Sequence, residues 1–227
     1  MSKTVPKHVA IIMDGNRRWA SSKKLTANKG HEAGVESLEV MVKAAAEFGI
    51  KYLTVYALST ENLRQRSLLE MRFLFSLIKK GLEDKSPSLD KNGVHLRFLG
   101  DIAALPTEIQ KSLKEVEQKL SKNKRIYLNI ALNYGGRDEI VQAVKKANKQ
   151  TSKIETKDIE ANLYTDEVPD PDLIIRTGGQ KRLSNFLLWQ SAYAELLFTD
   201  TLWPDFGKNE FKKALTEYSD RIRNFGR

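Results

Sequence analysis

The feature that most constrains the fold is a short apolar run near the start of the chain. Residues 9–13 are all apolar, too few for a helix of their own, and suited to a strand buried on both faces. The run ends at Asp14, which Gly15 and Asn16 follow. Because open α/β sheets bind ligands outside the carboxyl ends of their strands, Asp14 stands where a ligand site is expected.

The residues after Asp14 predict the start of an anion-binding helix. Gly15 lets the backbone approach a ligand closely, and Asn16 can cap a following helix. The side chains that this helix would present first are those of Arg17, Arg18 and Trp19. Free N–H groups, the helix dipole and two guanidinium groups would then suit a phosphorylated ligand with a divalent cation. The alternative is an ordinary Asp-Gly turn before a solvated basic helix face.

Composition restricts the class of protein. A chain of 227 residues, 41% of them hydrophobic, suits one domain spanning 1–227. It has neither an apolar window of ~20 residues nor a signal-peptide core, so we expect a cytoplasmic protein. The absence of cysteine excludes disulfides, thiolate metal sites and cysteine nucleophiles. A net charge of +9 favours an anionic partner: nucleic acid, an acidic lipid surface or a phosphorylated metabolite.

Hydrophobic periodicity predicts strands and helices in alternation along the chain. Further strands are expected at 51–58, 93–99, 125–133 and 172–176. Helices are expected at 32–48, 68–82, 106–120, 138–149, 157–163 and 208–224. A polar linker, 21–29, precedes the first of these helices and places His31 at its start. The pattern is typical of a single α/β domain with a mainly parallel sheet of about six strands flanked by helices.

Polar side chains follow the second predicted strand. Ser59, Thr60, Glu61 and Asn62 offer hydroxyls, a carboxylate and an amide, and 64–66 follow as a loop. These residues repeat the arrangement around Asp14. Helix capping is the alternative, because Ser, Thr and Asn all start helices readily.

The fifth predicted strand also ends in groups suited to a phosphate. Arg176 is followed by a Thr-Gly-Gly turn, and then by Arg182, Ser184 and Asn185. A parallel sheet brings its carboxyl ends to one edge, so these side chains should meet Asp14. Arginines together with a carboxylate suit a diphosphate with Mg²⁺, which binds one or two carboxylates plus phosphate oxygens.

Apolar segments beside this edge of the sheet predict that the rest of the ligand is a hydrocarbon. The predicted helix 68–82 is unusually apolar and could line a cavity as well as pack a core. Glu195 lies in another apolar setting, where an acid is costly unless it is paired or bound to a cation.

Several motifs occur together, in order, from His8 to nearly the end of the chain. They are His-Val-Ala-Ile-Ile-Met-Asp-Gly-Asn from His8, Arg18-Trp19, Gly30-His31, Ser59-Thr-Glu-Asn62, Asn133-Tyr-Gly-Gly-Arg137, Arg176-Thr-Gly-Gly, Arg182-Leu-Ser-Asn-Phe-Leu-Leu-Trp-Gln190 and Ala194-Glu-Leu. With them the chain resembles the cis-prenyltransferase family, in particular its bacterial undecaprenyl diphosphate synthases.

The resemblance implies a homodimer, with a hydrophobic tunnel in each subunit. It implies a Mg²⁺-dependent transferase that condenses isopentenyl diphosphate with farnesyl diphosphate in cis geometry. The product would be a long-chain polyprenyl diphosphate, in particular undecaprenyl diphosphate, a lipid carrier for cell-wall synthesis. Peripheral contact with the inner face of the membrane would accompany release of so apolar a product.

The resemblance also implies roles for individual residues. Asp14 and Asn62 would be catalytic, with Asn62, a weak base, acting as a positioning group, and Asp14 and Glu195 would hold the metal. Substrate would be bound by Gly15, Asn16, Arg17, Arg18, Trp19, Lys24, His31, Ser59, Thr60, Glu61, Arg66, Arg176, Arg182, Leu183 and Ser184.

The chain departs from the family pattern at several positions. Either Arg64 or Arg66 replaces one family arginine. Ala27 stands where the family has another arginine, and either Lys24 or Lys29 would substitute for it. The other departures are Arg17 for Gly, Leu63 for Trp, Lys181 for His and Asn224 for Arg. We expect them to affect substrate affinity more than activity.

Two other functions fit parts of the sequence. The +9 charge would suit a nucleic-acid-binding module with steeply salt-dependent affinity, but the aromatic residues are not interleaved with the basic runs. A non-catalytic partner subunit is the second alternative. Such relatives typically lack the equivalent of Asp14, which this chain retains.

Overall fold

Strands and helices alternate through residues 5–221, the part of the chain that the computed structural model describes. The strands are His8–Ile12 (β1), Tyr52–Ser59 (β2), Val94–Leu99 (β3), Ile126–Tyr134 (β4), Leu173–Arg176 (β5) and Glu195–Phe198 (β6). The α-helices are Asn16–Ser22 (α1), Ala27–Glu47 (α2), Thr60–Gln65 (α3), Leu68–Lys91 (α4), Thr107–Leu120 (α5), Gly136–Gln150 (α6), Thr156–Glu160 (α7) and Lys208–Asp220 (α8). Single 3-10 turns lie at Ile102–Ala104 and Trp203–Asp205.

The strands form one six-stranded sheet in the order β3-β4-β2-β1-β5-β6, and every pairing is parallel. The predicted α/β class with a parallel sheet is therefore confirmed. From β1 the chain first builds the sheet on one side, through β2, β3 and β4, and then adds β5 and β6 on the other side. This reversal opens a crevice at the carboxyl end of β1, where doubly wound folds bind ligands.

Strand β1 is buried throughout, as its apolar sequence predicts. Val9 and Ile11 face the larger of two hydrophobic cores, and Ala10 and Ile12 face the smaller one. Ile12 lies in register with Arg176 of β5. The chain therefore leaves β1 beside the end of β5, which places Asp14 next to the Arg176 side chain.

The first two helices differ from the prediction. The expected linker 21–29 shrinks to four residues, because α1 extends to Ser22 and α2 already begins at Ala27. A Cβ on Gly30 would lie 2.1 Å from the Asn16 carbonyl oxygen, so α1 packs directly on this glycine. His31 is consequently inside α2 rather than at its start.

Two other predicted boundaries were wrong. Residues 64–65, expected in a loop, form the last turn of α3. Helix α4, expected to end at 82, continues through Pro87 to Lys91. Its extra turns bury Ser86 and Leu89, and this packing compensates for the hydrogen bond that a proline removes from a helix interior.

The sixth strand was not located from the sequence. Residues 195–198 were noted only as an apolar setting for Glu195, but they pair with β5 as the edge strand β6. The expected helix 208–224 is present as α8 up to Asp220, and its predicted end, with Asn224, lies outside the described residues. No helix in the described part of the chain combines the length and apolar composition that crossing a bilayer requires.

A buried polar chain joins three neighbouring strands and should make stability depend on pH. The ring of His8 contacts the Thr54 hydroxyl at 2.7 Å and the Pro169 carbonyl at 2.6 Å, and Asn129 donates to Thr54 at 3.0 Å. Burial lowers the pKa of His8 to about 4 from an ordinary value of 6.5.

His8 binds a proton at a higher pH in the unfolded chain than in the folded one. The free energy of unfolding should therefore be greatest above pH 6.5 and fall between pH 6.5 and 4. We expect His8 to account for a loss of about 3 kcal/mol, at roughly 1.4 kcal/mol per pH unit. Urea unfolding of the wild type and of His8→Gln across this pH range measures the contribution of His8 to the free energy of unfolding. Equal pH slopes for the two proteins would contradict the prediction.

Candidate functional site

Asp14 is fixed by backbone contacts between the ends of β1 and β5. The Thr177 hydroxyl accepts from the Asp14 N–H at 3.0 Å and donates to the Asp14 carbonyl at 2.7 Å. The Trp203 N–H donates to the same carbonyl at 3.0 Å. These contacts leave the Asp14 carboxylate free to face the crevice.

Two arginines hold the Asp14 carboxylate. Arg18 donates to one oxygen at 2.8 Å, and Arg176 donates to the other at 2.9 Å. The Arg176 side chain is only 5% exposed and also donates to the Ser184 hydroxyl at 2.7 Å and to the Arg182 carbonyl at 2.5 Å. Its Nε is buried and has no hydrogen-bond partner among the described residues. The arginine is thus fixed in orientation and keeps one donor unpaired.

Two glycines with left-handed backbones allow this close approach. Gly15 has φ of 118°, and a Cβ there would meet Leu202 at 2.9 Å. Gly178 has φ of 80°, and a Cβ there would meet Arg18 at 2.6 Å. Gly15 takes the N-cap position of α1, so the expected cap by Asn16 does not form. The Asn16 Oδ1 is instead buried without a partner in the described part of the chain.

The loop after Arg182 is tied to two other elements by one side chain. Asn185 accepts from the Arg137 N–H at 2.9 Å and donates to the Glu61 carboxylate at 2.7 Å. Ser184 and Asn185 adopt positive φ values of 51° and 65°, which non-glycine residues rarely do. These contacts hold the Ser184 hydroxyl in place against Arg176.

Ser59, at the end of β2, caps a helix, which was the alternative interpretation of this segment. Its hydroxyl accepts from the Asn62 N–H at 3.0 Å and caps α3. Thr60, the first residue of α3, is buried. Glu61 and Asn62 line the crevice together with Ser59, whereas Thr60 does not.

His31 lies in the crevice as a neutral ring. Burial, and then the guanidinium groups of Arg66 and Arg17, lower the pKa of His31 to about 4. An anion bound between these arginines would offset their charge, so His31 would be protonated more readily with an anion present.

The crevice is a polar pocket of about 830 Å³. The predicted residues that line it are Asp14, Gly15, Asn16, Arg17, Arg18, His31, Ser59, Glu61, Asn62, Arg66, Arg176, Arg182 and Ser184. Their arginines outnumber their carboxylates by five to two, which favours a multiply charged anion. Arg66 lines the pocket and Arg64 does not, so the structure favours Arg66 of the two.

Four predicted substrate residues do not line the pocket. Trp19 donates to Asp205 at 2.7 Å, while Lys24 lies just beyond α1 and is exposed. Thr60 is buried in α3, and Leu183 packs on the smaller core. Lys29, the other lysine considered, pairs with Glu32 at 2.6 Å.

The predicted pairing of Asp14 with Glu195 in one metal site does not form within this chain. Glu195 begins β6 in register with Leu173, at the amino end of the sheet, whereas Asp14 lies past the carboxyl end. Its carboxylate pairs with Arg221 at 2.7 Å. The cost of the acid in its apolar setting is therefore offset by an arginine.

Among residues 5–221 no group of three or more His, Cys, Asp or Glu side chains is placed to hold a metal. Asp14 is the carboxylate that faces the pocket from β1. Since Mg²⁺ commonly takes one or two carboxylates and completes its shell with phosphate oxygens and water, a single acid beside a diphosphate fits this ion.

An apolar cavity of about 160 Å³ adjoins the polar pocket. The two share the side chains of Met13, Asn16, His31, Ala57, Leu58 and Leu74. From this common wall the cavity extends between α2, α4 and the strands β2, β3 and β4. The sheet edge thus combines a cationic site with an adjacent apolar space.

Sequence reasoning missed two polar side chains in the pocket wall. Tyr56 donates to the Tyr134 carbonyl at 2.9 Å, and burial followed by the Glu61 charge raises the pKa of Tyr56. Asn185 was noted at the end of β5 but was not chosen as a site residue. Tyr56 sits inside a strand, where the sequence alone carried no signal that distinguished it from a core aromatic.

The chain matches known proteins along its whole length. Residues 12–226 match a family model described as "Putative undecaprenyl diphosphate synthase". An isoprenyl transferase of Aquifex pyrophilus is 48% identical over 228 residues, with 100% of this chain and 98% of the relative covered. An isoprenyl transferase of Thermotoga maritima is 48% identical over 227 residues, with 98% and 97% covered.

Solved structures agree with the fold. A crystal structure described as a probable undecaprenyl diphosphate synthase from Campylobacter jejuni has a TM-score of 0.83 and 36% identity, with 99% of this chain and 100% of that chain covered. Lavandulyl diphosphate synthase from Lavandula x intermedia, in complex with dimethylallyl diphosphate, has a TM-score of 0.94 and 36% identity, with 98% and 99% covered.

Inorganic pyrophosphate should raise the pKa of His31. Without pyrophosphate the His31 ring should stay neutral down to about pH 4, because the ring is buried and lies near Arg66 and Arg17. NMR titration of the histidine ring signals, with and without pyrophosphate, measures this change. His8 and His95 do not line the pocket and serve as internal controls. An unchanged His31 titration at saturating pyrophosphate would contradict the prediction.

Proposed function

Because the chain belongs to the isoprenyl transferase (undecaprenyl diphosphate synthase) family and is therefore a transferase, we propose that it elongates prenyl chains in cis geometry. It would condense isopentenyl diphosphate with farnesyl diphosphate. The product would be a long-chain polyprenyl diphosphate, in particular undecaprenyl diphosphate, serving cell-wall synthesis.

The observation that carries this proposal is the Asp14 carboxylate held between Arg18 and Arg176 beside an apolar cavity. Arg18 belongs to a group of anion-binding residues on α1, and Arg176 belongs to a second group after β5. Two diphosphates would therefore bind on opposite sides of Asp14. The adjoining cavity would accept the hydrocarbon part of the allylic substrate.

The α1 side of the pocket suits the allylic diphosphate. Arg17, Arg18 and His31 supply donors there, and Gly15 and Asn16 open α1, whose first backbone N–H groups have no partner within the helix. Breaking the allylic C–O bond leaves negative charge on the departing diphosphate. Donors already fixed by the fold would stabilise this charge without reorganisation, which is the usual source of such catalysis.

The β5 side of the pocket suits isopentenyl diphosphate. Arg176, Arg182 and Ser184 lie together there, and Arg176 is held in position by its contacts with Ser184 and Asp14. The double bond of this substrate would attack the allylic carbon as the diphosphate leaves. A proton must then be lost, and Asn62 and Glu61, near the end of β2, lie in the same pocket.

We propose that Asp14 holds Mg²⁺ together with diphosphate oxygens. The bound ion would neutralise charge on the leaving group. In the ligand-free chain both carboxylate oxygens contact guanidinium groups. The Arg18 side chain is 48% exposed, so it would turn from Asp14 to the phosphates as substrate and metal bind, while the buried Arg176 would keep its orientation.

A homodimer and peripheral membrane contact complete the proposal. The exposed edge strand β6 and the exposed side chains of Tyr193 and Leu196 support a partner surface. Light scattering of the purified protein tests the dimer. Sedimentation with anionic lipid vesicles, and cell fractionation for the expected cytoplasmic location, test the membrane contact.

Purified protein supplied with farnesyl diphosphate, labelled isopentenyl diphosphate and Mg²⁺ should make long polyprenyl diphosphates. Separation of the dephosphorylated products by thin-layer chromatography measures chain length. Removal of the metal with a chelator should stop the reaction. The absence of any product longer than farnesyl diphosphate would contradict the proposal.

Asp14→Ala should reduce turnover by about 10²–10³-fold, the effect typical of removing one group that stabilises developing charge. Its fold should be retained, because the backbone contacts of Asp14 with Thr177 and Trp203 do not use the carboxylate, and because Arg176 keeps the Ser184 hydroxyl and the Arg182 carbonyl as partners. Asp84→Ala, which removes an exposed carboxylate on α4, is the matched control. A near-normal rate for Asp14→Ala with an intact circular dichroism spectrum would exclude Asp14 from the mechanism.

A further inference from the structure

Two leucines at the start of α4 are exposed to solvent. Leu68 and Leu69 are 80% and 76% exposed, and among the large apolar side chains of residues 5–221 only Tyr193 is exposed to the same extent. The Ser67 hydroxyl accepts from the Glu70 N–H at 3.3 Å and starts the helix at Leu68. The exposed leucines therefore form the first turn of an ordered helix. Scattered exposed apolar side chains are ordinary, whereas contiguous ones mark an interaction surface.

A third exposed leucine lies at the same end of the molecule. Leu25, 46% exposed, belongs to the segment between α1 and α2. His31 of α2 lies near Glu70 of α4, and further along the same two helices Glu36 pairs with Lys85 at 2.6 Å. The helices therefore run side by side in the same direction. The segment before α2 and the first turn of α4 are consequently neighbours at the carboxyl edge of the sheet.

Exposed basic side chains flank these leucines. Arg72 follows Leu68 by four residues and Leu69 by three, so it lies on the same side of α4. Three more exposed cations lie just before Leu25 or in the last turn of α3: Lys23, Lys24 and Arg64. We call these three leucines and four cations the tip.

The carboxylates that adjoin the tip in sequence already have partners. Glu70 contacts Arg17 of α1 at 3.5 Å and accepts hydrogen bonds at the start of α4. Glu61 accepts from Asn185 at 2.7 Å. The tip therefore presents unpaired positive charge around aliphatic side chains. This combination suits the surface of a bilayer that contains anionic phospholipid.

The tip adjoins the wall that the polar pocket shares with the apolar cavity. Leu74, which lines both spaces, lies six residues after Leu68 on α4, or about 9 Å along the helix. A hydrocarbon chain that leaves the cavity here would reach a bilayer without crossing a wide layer of water. The diphosphate would remain level with the lipid headgroups, beside the arginines of the pocket.

We propose that the tip docks the protein on anionic phospholipid bilayers. Its leucines insert below the headgroups, and its cations lie against the lipid phosphates. Docking places the mouth of the pocket at the membrane, where a product with a long hydrocarbon chain is released. This inference rests on the proposed chain-elongating function and names the surface that makes the membrane contact. Because few side chains insert, docking is reversible and needs both the charge and the apolar contact.

Sedimentation with vesicles of equal parts phosphatidylglycerol and phosphatidylcholine measures docking. Leu68→Ser/Leu69→Ser should lower the partition coefficient by at least about tenfold, because two aliphatic side chains are no longer transferred out of water. Val40→Ser/Val141→Ser, which removes two half-exposed apolar side chains from α2 and α6, is the matched control and should bind like the wild type. Circular dichroism and thermal melting check the fold of each variant.

The charge of the tip is tested separately. Arg72→Gln should weaken binding to the anionic vesicles about fivefold, the factor that one basic residue near such a surface contributes. Its binding to vesicles of phosphatidylcholine alone should equal that of the wild type. Lys114→Gln removes the same charge from an exposed position on α5 and should change neither measurement.

A fluorescent label tests insertion directly, because the chain has no cysteine of its own. Leu69→Cys, labelled with an environment-sensitive dye, should emit at shorter wavelength when anionic vesicles are added. Val141→Cys with the same label should not respond. A label at position 69 that stays in water on bound vesicles would overturn the inference.

Substrate closure is the competing role for the exposed leucines, and kinetics without lipid distinguishes it from docking. The KM for farnesyl diphosphate and the rate of the first condensation should be unchanged in Leu68→Ser/Leu69→Ser. A raised KM in lipid-free buffer would overturn docking in favour of closure over the substrate.

Two further outcomes would overturn the inference: a wild type that does not bind anionic vesicles, and a folded Leu68→Ser/Leu69→Ser that binds them like the wild type. Vesicle binding needs no substrate. Failure of the wild type to make any polyprenyl product would therefore overturn the proposed function without touching the docking result.

Discussion

The contact on which the rest of the site depends is the bond between the Asp14 carboxylate and Arg176. It joins the ends of β1 and β5, which are adjacent because the chain reverses its direction of sheet building at β1. Arg176 is nearly fully buried, and a buried guanidinium is costly unless its charge is paired. Asp14, Ser184 and the Arg182 carbonyl pair with its two terminal nitrogens, so the same contacts that stabilise the buried charge also orient the pocket.

The pocket and the apolar cavity meet opposite physical requirements within one crevice. The pocket gathers guanidinium groups around a few acids, which favours a multiply charged anion. The cavity below it excludes such groups down to the level of Lys85. Residues of the common wall, such as His31 and Asn16, touch both spaces. A diphosphate ester with a hydrocarbon chain is the kind of molecule that satisfies both, which is why the family assignment and the geometry agree.

Much of the fold could be predicted from local pattern. The buried run before Asp14 and the alternation of strands with helices gave the parallel sheet, because burial on both faces leaves a continuous apolar run in the sequence. Helix boundaries were predicted wrongly where packing overrides local preference. Helix α4 continues through Pro87 because Leu89 is buried beyond it, and α2 begins early because Gly30 lets α1 pack closely. Strand β6 was missed because its four residues include none that is β-branched, whereas the equally short β5 contains two isoleucines.

The sequence by itself determined which chemical groups stand at the strand ends, because a residue's type and its distance from an apolar run are local properties. Only the tertiary structure decided which of them meet. Glu195 and Asp14 lie at opposite ends of the sheet, Arg66 rather than Arg64 reaches the pocket, and Glu39 meets Lys85 across two helices. These outcomes depend on strand order, helix rotation and side-chain direction, which arise from contacts between residues far apart in the chain.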